Sequence, residues 1–470
     1  MNIQEFQAIL QTRCAIDLKK PVLLGFSGGP DSICLLSLLV KSGVEVTAAH
    51  LDHALRPDSA AEAVQAEEIC RQLGADFISR RVDVADYAQK KHLSVEEAAR
   101  KQRYAFLFAE AAKTGAQAVL TGHQADDQVE TVLMHLLRGS ALSGLAGMRM
   151  VLLPNPWSKD IPLVRPLLAF SREEVEAYLS EIPIRPIFDQ SNQDSSFFRN
   201  RIRNDLLTQL LTYNPQFKKR ILRMADAIAL EDDLVMAQTR QAWAETVIET
   251  GEDFVVFDRA KTASLHPALR RRLMREGLTR LRSELRDMDY QVIEKGSHFF
   301  TDPCQSNTVH LIAGLEMFAH LKRRVVLAKK ESPLHGLWPQ LTQKKALPLK
   351  IPGMVSLNEH WTLRSSRETI YINTGDPFVC QLNAELLADK LTIDRFKAGD
   401  RFSPYGAAAQ EMKLGDFWTN QGLAARARSN WPLIRSGEEI VWVPGFRIAD
   451  RWRVKKETTS ILRLELIKTE

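Results

Sequence analysis

The segment Val22–Ser32, VLLGFSGGPDS, decides the fold. Its apolar run VLLGFS (22–27) passes through a glycine turn into DSICLLSLLVKSG, a helical pattern closed by glycine. A strand that enters a helix through glycines brings backbone N–H groups and a helix N-terminus to one point, where an anion binds well. Ser27 and Ser32 add hydroxyl donors beside Asp31. Outward from this loop the same alternation recurs. EVTAAHLD (45–52), DFISRRVD (76–83) and AQAVLTG (116–122) read as strands, separated by the helical patterns SAAEAVQAEEICRQLG and SVEEAARKQRYAFLFAEAAKTG. The pattern predicts an α/β class, Rossmann-like, with a parallel sheet covered on both faces and ligands gathered at the carboxyl ends of its strands. Three strand ends carry polar clusters there: SGGPDS, HLDH and GHQADD.

A fifth strand is expected over 162–168, followed by a helix that Ser171 and Glu174 start at capping-box spacing. After Asn214-Pro215 the alternation stops. Residues 216–335 read mainly as Arg-rich helices, and from 336 short β-like segments with Pro and Gly turns predict a small α+β C-terminal domain. The expected division is therefore 1–215, 216–335 and 336–470.

Composition removes several classes. With 45% hydrophobic and 26% charged residues, the 470-residue chain is that of an ordinary globular protein, neither disordered nor fibrous. Five scattered cysteines, none in a C-x-x-C pair, exclude a disulfide framework, a zinc ribbon and an iron–sulfur run. The N-terminus MNIQEFQAILQTR lacks the features of a secretory signal, and no stretch of 18 apolar residues occurs, so the expected location is the cytoplasm, with no membrane partner. The net charge of +5 is small, but the basic residues cluster. Arg199, Arg201, Arg203, Lys218, Lys219, Arg220 and Arg223 form one group, seven arginines from Arg270 to Arg286 a second, and Arg447, Arg451, Arg453, Lys455 and Lys456 a third. Three such groups outside the loop region favour a surface that follows nucleic-acid phosphates. Phe197, Phe198 and Trp418 are available for base stacking, with core packing the stronger expectation for each.

Other readings of the first loop fail. Gly25, Ser27 and Gly29 satisfy the nucleophile-elbow pattern G-x-S-x-G, yet the chain before them is too short for the preceding strands and oxyanion loop of a hydrolase. The loop has no lysine of the G-x-x-x-x-G-K-[ST] kind, and G-x-G-x-x-G is absent. Holding pyrophosphate while an α-phosphate is attacked suits such a loop. At the fourth strand end, Asp126, Asp127 and Glu130 fall on one side of a helix starting near Asp126, with Val129, Val132, Leu133, Leu136 and Leu137 toward the core. Such acids could hold Mg²⁺ against phosphates or bind and deprotonate an ammonium. His50-Leu51-Asp52-His53, followed by Arg56, lacks an evident third zinc ligand.

SGGPDS resembles the pyrophosphate loop of the N-type ATP pyrophosphatases, the PP-loop superfamily, whose members adenylate an oxygen and displace AMP with a nucleophile. HLDHALR, ARKQRYAFL (99–107), GHQADDQVET, VRPLL (164–168) and DQSNQDSSFFRNRIRNDLL (189–207) resemble, in order, the motifs of the bacterial tRNA(Ile)-lysidine synthetase family. FKAGDRFSPYG (396–406), KLGDFW (413–418) and IVWVPGFRIADRWRV (440–454) resemble that family's C-terminal domain. Gln124 departs from it, since many relatives carry His or Asn there.

The resemblance implies a PP-loop ATPase domain over 1–215, tRNA-binding domains after it, and ATP-dependent joining of L-lysine to the wobble cytidine of the isoleucine tRNA with a CAU anticodon. Ser27, Gly28, Gly29, Pro30, Asp31 and Ser32 would wrap the ATP phosphates, with His50 and Asp52 in the same nucleotide site. Asp31 and Asp127 would serve Mg²⁺ or the amine, and Asp126 and Glu130 the lysine site. His123 belongs to the catalytic set, while Arg165, Arg199 and Arg203 would stabilise phosphate or position the base. Monomer and homodimer remain equal expectations. Two rivals stand beside this reading: a non-catalytic RNA-binding nucleotide sensor and a tRNA thiolase.

Overall fold

The structure, a computed structural model, describes all residues except 56–58, 188–197, 284, 286–287, 303–307, 389, 407–409 and 470. Arg56, Phe197, Arg286 and the first half of the 189–207 motif therefore lie outside the described residues. The chain divides into two compact units, Met1–Leu234 and Val235–Glu470.

The first unit is built on β1 (Val22–Gly25), β2 (Val46–Asp52), β3 (Asp76–Arg81), β4 (Val119–Thr121), β5 (Val151–Leu152) and β6 (Leu163–Val164). Their order is β3-β2-β1-β4-β6-β5, parallel except for β5. Successive side chains of β1 point to opposite faces, and both faces are covered. Val22 and Leu24 join the core that holds Ile33, Leu36 and Leu39 of the helix Pro30–Lys41. Leu23 joins Leu107 and Phe108 of the helix Val95–Thr114 on the other side. That is why the strand is a continuous apolar run rather than an alternating one.

Chain order reverses between β1 and β4, so the crevice of this sheet opens at their carboxyl ends. SGGPDS follows β1 and GHQADD follows β4. The fifth strand is shorter than expected because Pro166, without an N–H, ends β6 and starts a 3₁₀ turn, Pro166–Ala169. The short antiparallel β5 left no readable signal in the sequence.

Residues read as mainly helical also form a five-stranded antiparallel sheet: β7 (Val247–Thr250), β8 (Phe254–Asp258), β9 (Thr308–His310), β10 (Leu315–His320) and β11 (Arg324–Lys329). Val255, Phe257 and Leu327 face the helices Pro267–Leu281 and Tyr290–Thr301. Phe254, Val256 and Val326 face the other way, into one core with Trp338, Trp418 and Trp442. Residues on both sides of 335/336 thus share one core, within the unit Val235–Glu470. Trp418 is fully buried in this core, so it packs rather than stacks on a base.

Ser171 caps the helix Arg172–Ser180 and exchanges bonds with Glu174, as the spacing predicted. Ser171→Ala is expected to weaken that helix start by about 1 kcal/mol. Amide hydrogen exchange over Arg172–Ser180 should then speed by about fivefold; unchanged protection would show that the cap is redundant.

Candidate active site

The loop after β1 is shaped by Gly28, which takes φ +74, and a Cβ there would lie 2.3 Å from Ile187 Cδ1. The Gly28 carbonyl accepts a 2.9 Å bond from the Ile187 N–H. Ser27 Oγ accepts from the Gly29 N–H at 3.3 Å, and Ser32 Oγ donates to the Gly29 carbonyl at 2.9 Å. Gly29 is the N-cap and Pro30 the first residue of the helix Pro30–Lys41, so the helix opens at the loop with a residue that needs no N–H partner. Gly122, at the end of β4, approaches so closely that a Cβ would sit 3.1 Å from the Asp31 carbonyl carbon. The two strand-end clusters therefore touch.

At the second cluster, the buried His50 bonds the Phe26 carbonyl through Nδ1 at 3.0 Å, fixing β2 to the loop. Asp52 turns away into its own bend, accepting from the Ala54 N–H at 2.8 Å with Arg81 at 3.6 Å. Burial disfavours its charge, but these partners and Ser59 outweigh it and hold the carboxyl low. Burial also brings the neighbouring His53 down to about 4, so its ring stays neutral.

The fourth cluster carries the charge. The helix Ala125–Leu137 begins with a capping box: Gln124 Oε1 accepts from the Asp126 N–H at 2.6 Å, and Asp127 Oδ2 accepts from the Gln124 N–H at 3.0 Å. The departure at Gln124 is thus absorbed by a structural role. Asp126, Asp127 and Glu130 are all buried. Val129, Val132 and Leu133 are buried as expected, but Leu136 and Leu137 are exposed, because the cluster formed with Ile202 and Leu207 ends a turn earlier.

Three cations reach these acids from far along the chain. Arg199 bonds Glu130 Oε2 at 2.7 Å and Asp127 Oδ1 at 2.9 Å. Arg203 bonds Glu130 Oε1 at 2.5 Å and reaches Asp127 Oδ1 at 3.5 Å. Arg203 lies in a π-helical turn, Ile202–Leu206, a form that recurs at functional sites. Lys218 lies 2.5 Å from Asp126 Oδ1, while Asp126 Oδ2 accepts from the Arg172 N–H at 2.9 Å. Burial opposes ionisation of Asp126, but Lys218 and the Arg172 N–H reverse that and lower its pKa. Burial and the adjacent Glu130 raise Asp127, and the arginines do not fully offset them.

Sequence reasoning brought Asp127, Glu130, Arg199 and Arg203 into one site but missed Lys218, which it assigned to a surface cluster. No local signal links Lys218 to Asp126; only the fold does. His123 bonds Thr121 Oγ1 at 3.0 Å, and burial among Arg165, Arg103 and Arg199 keeps its ring neutral. Arg165 is buried and donates to the Arg149 carbonyl at 2.8 Å, so it anchors backbone instead of reaching outward.

The basic clusters are reduced by the same accounting. Arg199, Arg203 and Lys218 neutralise the site acids, leaving Arg201, Lys219, Arg220 and Arg223 exposed in the first. In the second, Arg270 donates to the Ala263 and Leu265 carbonyls, while Arg271, Arg280 and Arg282 pair with Glu294, Glu276 and Glu331. In the third, Arg451 and Arg453 pair with Glu439 and Asp450 and Arg447 donates to the Tyr405 carbonyl, leaving Lys455 and Lys456 exposed.

Asp31, half-buried at the start of the phosphate loop's helix, is pushed up to about 6, first by burial and next by Asp127. Its ordinary value is 3.8, so the folded chain binds more protons than the unfolded chain between those values. Stability contributed at Asp31 therefore falls as pH rises through that window and stays low above it, a deficit of about 3 kcal/mol. Asp31→Asn is expected to raise the melting temperature of the ligand-free protein at about pH 8 and to lose that advantage below about pH 4. An equal shift at both pH values would remove the buried charge as its cause.

The description "PP-loop domain" matches residues 2–210, and "TilS substrate C-terminal domain" matches residues 391–466. The tRNA(Ile)-lysidine synthase of Dehalococcoides mccartyi (strain CBDB1) is 32% identical over 458 residues, covering 94% of each chain. That of Solibacter usitatus (strain Ellin6076) is 30% identical over 450 residues, covering 94% of this chain and 97% of the relative. Among solved structures, the U34-tRNA thiolase NcsA from Methanococcus maripaludis is 16% identical with a TM-score of 0.41, covering 48% of this chain and 79% of that one. With a relative of this identity aligned along nearly its whole length, and both matched regions in the expected order, the chain belongs to the tRNA(Ile)-lysidine synthase family.

Proposed function

We propose that the chain ligates L-lysine to C2 of the wobble cytidine in the CAU anticodon of an isoleucine tRNA, using ATP and releasing AMP and pyrophosphate. The observation that carries this reading is the contact between the lysine-free phosphate loop and the buried acids across one sheet crevice. The cytosine C2 oxygen is a poor leaving group. Its attack on the ATP α-phosphorus expels pyrophosphate and makes an adenylated cytidine. The lysine amine then attacks C2, and AMP leaves with the oxygen.

Each step has residues suited to it. Ser27–Ser32 offer N–H and hydroxyl donors to the departing pyrophosphate. Among the described residues no cluster of three or more ligating side chains is built for a metal ion. Mg²⁺ needs less, since one or two carboxylates and the phosphates themselves suffice. Asp31 and Asp127 fit that role: burial raises each carboxyl, and the Asp127 charge raises Asp31 further, a cost that a divalent cation would relieve. Bound there, Mg²⁺ would neutralise phosphate charge.

A cavity of about 190 Å³ lies beside these groups, lined by Asp126, Glu130, Arg172, Arg203 and Lys218 with Leu207 and Leu211. Charge at its polar wall and leucines along its side match an amino acid with a long methylene chain. The incoming ammonium must lose a proton before it can attack. The one of Asp31 and Asp127 that does not hold Mg²⁺, its carboxyl raised by burial, is the acceptor we assign. No described helix is long and apolar enough to cross a membrane, consistent with a reaction in the cytoplasm, where tRNA is found. We assign tRNA binding chiefly to the exposed third cluster, Arg447 to Lys456, and to the free bases of the first.

Incubation with ATP, labelled lysine and unmodified isoleucine tRNA bearing CAU should place label in the tRNA with one AMP per lysine. RNA binding without label would favour the sensor, and modification only with a sulfur donor would favour thiolation. Asp31→Asn should abolish AMP formation while leaving the protein folded; near-normal turnover would remove Asp31 from the site. Replacing Lys455 and Lys456 together by Ala should weaken tRNA binding and flatten the slope of log affinity against log salt by up to about 2. An unchanged slope would place the phosphates elsewhere.

A further inference from the structure

A second cavity, of about 250 Å³, lies on the other side of Arg199 from the leucine-walled one. Arg100, Arg138 and Arg199 line it together with His123 and His135, and none of its described lining residues is acidic. This is unusual beside a site whose other wall holds three buried carboxylates. Arg199 is held by Asp127 and Glu130, which leaves the Arg100 and Arg138 guanidiniums to repel each other across the hollow unless an anion occupies it. The His135 Nδ1 lies 2.5 Å from the Gly144 carbonyl and must carry its proton there, which leaves Nε2 free to meet a ligand. Burial and the surrounding arginines keep His123 uncharged, so the positive charge is arginine charge and persists at any ordinary pH.

Arg138 adds a second feature. It is exposed at the C-terminal end of the helix Ala125–Leu137, and its guanidinium lies 5.9 Å from the ring centre of Phe198, itself 39% exposed. A cation over an accessible aromatic ring at the rim of an arginine pocket is the combination that takes a single-stranded nucleic acid, phosphate below and base face above. Arg199 bonds Asp127 and Glu130 and also lines the cavity, so a phosphate seated here is one side chain from the acids.

We propose that this cavity seats a phosphodiester of the anticodon loop next to the nucleotide being modified, with Arg138 and Phe198 holding the adjoining base. The inference rests on the proposed tRNA reaction and deepens it by naming where the backbone is gripped near the chemistry. The same arginine chemistry would accept a second phosphate source, the triphosphate of ATP or released pyrophosphate, and the experiment separates the two.

The test uses the full chain and Arg138→Ala, a substitution at an exposed position that folding should tolerate, with Arg138→Lys beside it. Affinity for a CAU anticodon stem-loop is measured over a range of salt, and affinity for a non-hydrolysable ATP analogue and for pyrophosphate in parallel. Arg138→Ala should weaken stem-loop binding by about tenfold and reduce the salt slope by about 0.7, one single-strand phosphate contact, with nucleotide and pyrophosphate binding unchanged. Arg138→Lys should restore the slope but only part of the affinity, because a lysine keeps the charge without the planar face. Unchanged stem-loop affinity and slope would overturn the proposal, as would a loss confined to the ATP analogue or pyrophosphate. Failure of lysine incorporation by the unaltered protein would sink the proposed reaction alone, since the stem-loop measurement does not require turnover.

Discussion

The bonding of Glu130 and Asp127 by Arg199 and Arg203 is the constraint on which the first unit's chemistry depends. Two adjacent carboxylates near a helix start are favoured by the helix dipole only while they remain near water. Here they are buried, and an unpaired charge in such a place costs several kcal/mol, about 3–5 when a partner is removed. The arginines must therefore arrive whenever the domain is folded. They come from a helical stretch far along the chain, and their arrival fixes that stretch against the end of β4. The π-helical turn at Ile202–Leu206 is where the backbone accommodates the approach.

The same bonds divide the space around the acids. On one side lie Lys218, Asp126 and a leucine wall; on the other lie Arg100, Arg138 and the histidines. The acids on the first side are already matched by Arg203 and Lys218, while none of the described residues lining the second is acidic.

The sheet was legible in the sequence, because strands buried on both faces read as apolar runs and the glycines, prolines and capping box punctuate them. The loops converged as expected because chain order reverses between β1 and β4. What was hidden is of another kind. The Lys218–Asp126 pair joins residues with no shared periodicity, so nothing local could announce it. The sheet β7–β11 was lost among arginine-rich helices, its strands being short and separated by long helical insertions. Phe254 and Val256 face a core completed by residues a hundred positions later, and composition does not register such a partnership.

Charge gives the last step. A net of +5 over 470 residues hides both the acids and the bases, yet counting basic residues in the sequence overstated the RNA surface. Arg199, Arg203 and Lys218 looked like part of it and are instead the counter-ions of the buried acids. Arg271, Arg280 and Arg282 are likewise matched by glutamates within their own unit. A basic residue contributes to phosphate binding only with what its neighbours have not already neutralised. By that measure every cluster shrinks: Arg451 and Arg453 are matched by Glu439 and Asp450, as Arg199 is by Asp127 and Glu130, so less is left to meet phosphate than the sequence displays.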